Sequence, residues 1–247
     1  ACMSKLWLYG DSFSTYWNSQ GDFLYPKMLA NKLNAELCIN AYSGASLGWM
    51  MYQSMQHRHE FAEDDYIIFQ TTLLDRGFLS KENPSLSKIS PQDKHWKSLS
   101  NEQQKGYTFY LLDIHDNDIL KTQFQAWLHG ISHYTKHLKV QPLLTTAWDL
   151  GDIELPHKWR LSKGMLFDLS TKEFSGTFDD TIKWILDNGT DPRKNHFSTC
   201  NHYKITDIYY KALIDKDYTP DFNNLEQNIY DEYPRLGEYS LSGEWIK

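Results

Sequence analysis

A chain of 247 residues, 40% hydrophobic and 23% charged, has the length and composition of one large globular domain or two small ones. Its formal net charge of −7 speaks against a general nucleic-acid binder, which needs a cationic face, and against polybasic membrane docking. No window approaches the roughly 20 apolar residues of a membrane span.

Lys5 to Tyr9 is a short apolar run ending at Gly10 and reads as a strand. Leu24, Met28, Leu29 and Leu33 follow at helical spacing, then Glu36 to Asn40 as a second strand. After the turn-like Tyr42-Ser43-Gly44-Ala45, the residues Leu47, Met50, Met51, Ser54 and Met55 predict a second helix. Tyr66 to Gln70 is a third strand, preceded by the acidic turn Glu63-Asp64-Asp65. Residues 77–117 break the rhythm, and Leu79 to Lys105 read as an irregular surface insertion. Leu120, Phe124, Trp127, Leu128, Ile131 and Leu138 mark an amphipathic helix, and Val140 to Thr146 a fourth strand. Thr181 to Leu186 reads as a short helix, and Ile205, Ile208, Tyr209, Ala212 and Leu213 as a closing one. Residues 217–247 have no period and read as an aromatic tail laid on the domain or on a partner.

This alternation predicts an α/β fold: a three-layer α/β/α sandwich over residues 3–216, with a mainly parallel, flavodoxin-like sheet. In such sheets ligands bind outside the carboxyl ends of the strands, which singles out the turns after Tyr9, Asn40 and Gln70. Ala1 to Leu8 carries one lysine and no long apolar stretch, so it does not read as a signal peptide, and Ala1-Cys2 ahead of Met3 reads as a cloning remnant. Cys2, Cys38 and Cys200 are too few for a disulfide framework, and a reduced, cytoplasmic protein is the expectation.

Three places carry candidate chemistry. Gly10-Asp11-Ser12-Phe13-Ser14 puts a small polar side chain at a strand end, where a serine serves either as a nucleophile or as a turn or cap residue. Gly44 ends the second strand, where its N–H can face the same crevice. His196 lies in the loop entering the closing helix, with Asp191 upstream, the arrangement of a general base and its orienting acid; a surface histidine followed by a Ser198 cap is the alternative. A zinc site at His196 and His202 lacks a helical pair and a second thiol beside Cys200, so no metal ligand is assigned. His57-Arg58-His59-Glu60 reads as a solvated helix end, and Asp113, His115 and Asp116 as ordinary loop residues.

In their order along the chain these segments resemble the SGNH, or GDSL-type, hydrolase superfamily, including short members encoded by bacteriophages. Gly10 to Ser14 is similar to its nucleophile motif, Asn40 to Ser46 to its second motif with Gly44 at the glycine position, and His196 to His202 to its His-Pro-Ser-x-x-Gly-His pattern. The family's third motif, Gly-x-Asn-Asp, is replaced by Phe69-Gln70-Thr71-Thr72-Leu73-Leu74-Asp75-Arg76. Its acid stands three residues before the histidine, where this chain has Arg193; Asp191 lies five before. The resemblance implies ester hydrolysis with Ser12 as nucleophile, His196 as base and Asp191 orienting the ring, without metal or organic cofactor. The N–H groups of Ser12 and Gly44 would hold the oxyanion, with the hydroxyl of Thr72, or failing that of Thr71, in place of the missing Asn. An acylated or acetylated carbohydrate is the substrate class expected first, since aromatic residues of the insertion and tail can stack on sugars. The alternative is a non-catalytic binding or structural module, for example a virion component. A nucleotide-binding, flavodoxin-like site fits poorly, because one Gly beside an acidic residue is a poor anion nest.

Overall fold

Leu6-Trp7-Leu8-Tyr9 shows no polar alternation, the pattern of a parallel strand covered on both faces. The computed structural model describes residues 3–15, 24–74, 100–109, 116–172 and 196–223, with a few isolated positions beyond. In it this run forms most of the interior strand β1 (Lys5–Gly10) of a four-stranded, all-parallel sheet. The strand order is β2-β1-β3-β4, where β2 is Glu36–Ala41, β3 is Tyr66–Thr71 and β4 is Leu143–Thr146. Leu8 faces Ile39 on one side and Ile68 on the other, and Ile68 in turn faces Leu143. The fourth strand begins at Leu143 rather than Val140, and Pro142, which has no N–H for a ladder, stands just before it.

Period-two alternation sorts the strand residues between two cores. Leu6, Leu8, Ile68 and Leu143 pack with Leu29 of α1 (Tyr25–Leu33) and with Ile205, Tyr209 and Leu213 of the closing helix (Thr199–Ile214). Trp7, Tyr9, Ile67, Phe69 and Leu144 pack with Met50 of α2 (Leu47–His57) and with Phe124, Trp127 and Leu128 of a long helix (Asn117–Tyr134). The protein is therefore α/β, with helices on both faces of one parallel sheet. Numbered in chain order, α3 is Asn101–Phe109, α4 is Asn117–Tyr134, α5 is Leu166–Lys172 and α6 is Thr199–Ile214.

Helix ends follow side-chain chemistry. Ser46 accepts from Trp49 N (3.1 Å) at the start of α2, Asp116 from Asp118 N (2.8 Å) and Ile119 N (3.1 Å) at α4, and Ser198 from Asn201 N (3.0 Å) at α6. The stretch expected to be irregular up to Lys105 differs: α3 starts at Asn101. Ser100 and Gln103 make a reciprocal capping box, Ser100 N donating to Gln103 Oε1 (2.8 Å) and Gln103 N to Ser100 Oγ (3.2 Å). Helix α5 was not expected either; Leu166 and Leu169, one turn apart, are buried in the α1/α6 core. Most of the helix expected at Thr181 to Leu186 lies outside the described residues. The first residues past α6 lie on the domain: Lys163 N donates to Pro220 O (2.8 Å), Phe222 N donates to Lys163 O (3.0 Å), and Phe222 is buried in the α1/α6 core. Glu238–Tyr239 (β5) and Trp245–Ile246 (β6) pair antiparallel. Among the described residues no helix is long and apolar enough to cross a membrane.

Burial pushes the phenols of Tyr9, Tyr25 and Tyr209 well above their ordinary range. Unfolded, each gives up its proton near the ordinary value of about 10; folded, each keeps it. The native state then binds more protons than the unfolded one, so stability is full below that value and declines as pH climbs past it. Urea midpoints should fall steeply above roughly pH 10, and the fall should be shallower in Tyr209→Phe. An identical pH profile for parent and variant would contradict this account.

Candidate active site

The chain leaves β1 to one side for β2 and returns to the other side for β3. Connections diverge there, and between the carboxyl ends of two such strands an open sheet leaves a crevice. Ser12 follows β1 and Thr72 follows β3, so both flank that point.

The turn after β1 is held on several sides. Asp11 is buried; its Oδ1 accepts from Phe13 N (3.1 Å) and its carbonyl from Ser14 N (3.0 Å). Gln70, on the neighbouring strand, accepts at Oε1 from Asp11 N (3.3 Å) and from the Ser14 hydroxyl (2.8 Å), while its Nε2 donates to Thr71 O (3.0 Å). The Ser14 hydroxyl also meets the Tyr25 phenol in a short hydrogen bond. Half-buried Ser12 contributes its carbonyl, which accepts from the Thr15 hydroxyl (3.4 Å).

Gly10 is required by close approach. A Cβ there would lie 2.7 Å from Ser14 Oγ, 2.9 Å from Ser14 Cβ and 2.9 Å from Gln70 Oε1. Those atoms are pinned by the hydrogen bonds just described, so they cannot step aside cheaply. Gly10→Ala should cost about 1–3 kcal/mol, the usual penalty of overpacking, read as a lower urea midpoint. An unshifted midpoint would mean that the turn is softer than its contacts imply.

Gly44 sits where only a left-handed backbone closes the turn. Ala45 N donates to Tyr42 O (2.9 Å) and Gly44 has φ 73°, the third position of a type II turn. Tyr42 N donates to Gly10 O (3.3 Å), which sets this turn against the end of β1. The Tyr42 side chain is 54% exposed there. Thr72 is fully buried just past β3. The hydroxyl of Thr71 is committed to Thr145 O (2.9 Å) on β4 and is not the spare donor that its position suggested.

His196 has φ 74°, a left-handed backbone that few residues with a Cβ adopt. Its ring stacks on Phe13, centroids 4.5 Å apart and planes at 29°. Phe13 also meets the edge of Trp148, at 6.5 Å and 75°, just past β4. The loop before α6 thus comes to within one residue of Ser12, although the two chain positions are far apart in sequence. His196 thus reaches the residue next to Ser12 through the ring of Phe13. Asp191 lies outside the described residues.

His202 is placed differently. It is fully buried, its Nδ1 accepts from Tyr25 N (3.3 Å), and its ring faces that of Tyr25 at 6.2 Å. Its role is to dock α6 on α1. Among the described residues no group of three His, Cys, Asp or Glu is placed to hold a metal ion. Sequence reasoning passed over Gln70 and Tyr25. The signal for Gln70 was available: it is the one amide in the apolar run Tyr66 to Gln70, and a buried amide needs partners.

No known protein-family profile matches the sequence, and no curated protein sequence matches it.

Proposed function

We propose that the chain is a serine hydrolase of the SGNH type that cleaves an ester, with Ser12 as nucleophile and His196 as general base. The observation that supports this reading is the stack of the His196 ring, on a left-handed backbone, on Phe13, the residue that follows Ser12 in the turn after β1. Strained backbone of this kind clusters at functional sites. Hydrogen bonds between nucleophile and base are often loose without substrate and tighten when it binds.

In the proposed reaction the Ser12 hydroxyl attacks the acyl carbon as its proton passes to the His196 imidazole. The N–H groups of Ser12 and Gly44 and the hydroxyl of Thr72 stabilise the oxyanion. The imidazolium returns the proton to the leaving alcohol, and water releases the acyl group by the same steps. Asp191 orients the imidazole. The exposed Tyr42 on the Gly44 turn supports a carbohydrate ester as the first substrate to try, because sugars stack on open rings.

A fluorophosphonate probe tests the reading. The Ser12 oxygen forms a bond to phosphorus, fluoride leaves, and the serine proton goes to the base. Labelling mapped to Ser12 is the expected result. A folded parent that takes no probe, and turns over no ester, is instead a binding module on this fold, such as a phage component.

A further inference from the structure

We propose that Gln70 is a positioning residue for the nucleophile turn: its side-chain amide fixes the backbone that presents Ser12. A leucine would fill an interior strand position without any desolvation cost. An amide there is useful where direction matters, because each polar end must meet a partner at a set distance and angle. Both ends of this one do. Oε1 takes two donors, Asp11 N (3.3 Å) and Ser14 Oγ (2.8 Å), and so spans the turn from its first residue to the far side of Ser12 and Phe13. Nε2 donates to Thr71 O (3.0 Å), which fixes the orientation of the amide plane. The Asp11 carboxylate closes the turn from within through Phe13 N (3.1 Å). These contacts use the side chains of Asp11 and Ser14 and leave that of Ser12 out.

The same hydrogen bonds reach the other half of the site. The Ser14 hydroxyl meets the Tyr25 phenol, and Tyr25 N holds His202 Nδ1 (3.3 Å) on α6. That helix begins at Thr199, capped by Ser198, directly after His196 and Phe197. Gln70 therefore sets the Ser12 turn against the helix whose entry loop carries His196. The effect on turnover rests on the hydrolase reading; the effect on the turn rests on these hydrogen bonds alone.

Gln70→Met keeps the length and removes both amide ends. Ser14→Ala removes one of the two donors and keeps the other. Amide hydrogen exchange and phosphonylation kinetics are measured on both. In Gln70→Met the amides of Asp11 and Ser14 should exchange about tenfold faster or more, while those in α2 keep the parent rate. The phosphonylation rate and kcat should fall about 10- to 100-fold with KM within about twofold, since small misplacements of a reacting group cost that much. Ser14→Ala should move both readouts the same way by less, and it decides the matter if Gln70→Met does not fold. Unchanged exchange at Asp11 and Ser14 overturns the proposal. So does a loss of rate that merely follows the folded fraction. If the parent takes no probe, the hydrolase reading falls, while the exchange rates still decide whether Gln70 holds the turn.

Discussion

Ser12→Ala should abolish fluorophosphonate labelling and lower turnover of a short acyl ester by about 10⁴-fold or more, the usual scale for loss of a nucleophile. Its unfolding free energy should stay within about 0.5 kcal/mol of the parent's, read from urea titration. The Ser12 side chain is half-buried, and the network below it uses only the Ser12 carbonyl. Truncation therefore leaves the bonds from Gln70 to Asp11 and Ser14 in place. Ser14, two residues on, cannot take over, because its hydroxyl is buried between Gln70 and Tyr25. Equal turnover by parent and variant would remove Ser12 from the chemistry.

His196→Asn should cost about 10²–10⁴ in kcat, the range for a lost general base. Asparagine tolerates the left-handed backbone at φ 74°, so the loop keeps its shape while the imidazole is gone. Loss of the stack on Phe13 should by itself cost about 0.5–1.5 kcal/mol. Turnover of the parent should rise with pH as the imidazole gives up its proton, since only the neutral ring accepts one from serine; the variant should show no such rise. His202→Asn should behave differently. That histidine is buried against Tyr25, so its loss lowers the folded fraction and leaves the pH profile of the remaining enzyme unchanged. A flat profile in His202→Asn together with a normal one in His196→Asn would reverse the two roles.

The sheet was legible because parallel strands covered on both faces are plain apolar runs, and Leu6 to Tyr9, Ile67 to Phe69 and Leu143 to Leu144 are such runs. Helix α3 was not, because it carries little apolar periodicity; its signature is chemical, the Ser100 and Gln103 cap. The candidate site was half legible. Ser12 announces itself at a strand end, and Gly44 in the turn-like run that follows the second strand. The approach of His196 to Phe13 depends on how α6 docks on α1, a long-range packing event that no local pattern encodes. That the Thr71 hydroxyl is committed to Thr145 O likewise needed the register of β3 on β4.

The bond from Tyr25 N to His202 Nδ1 joins residues 177 positions apart. At a synthesis rate of about 5–20 residues per second, the ribosome makes His202 roughly 10–35 s after Tyr25. During that interval β1, α1, β2, α2 and β3 can form, but the serine turn has no Tyr209 beneath Tyr25 and no His196 beside Phe13. A nascent chain thus carries the Ser12 turn well before His196 can stack on Phe13, and an arrangement that needs both is complete only once α6 has docked. Folding of the whole domain is correspondingly non-local, so refolding should be slow for a protein of this helix content.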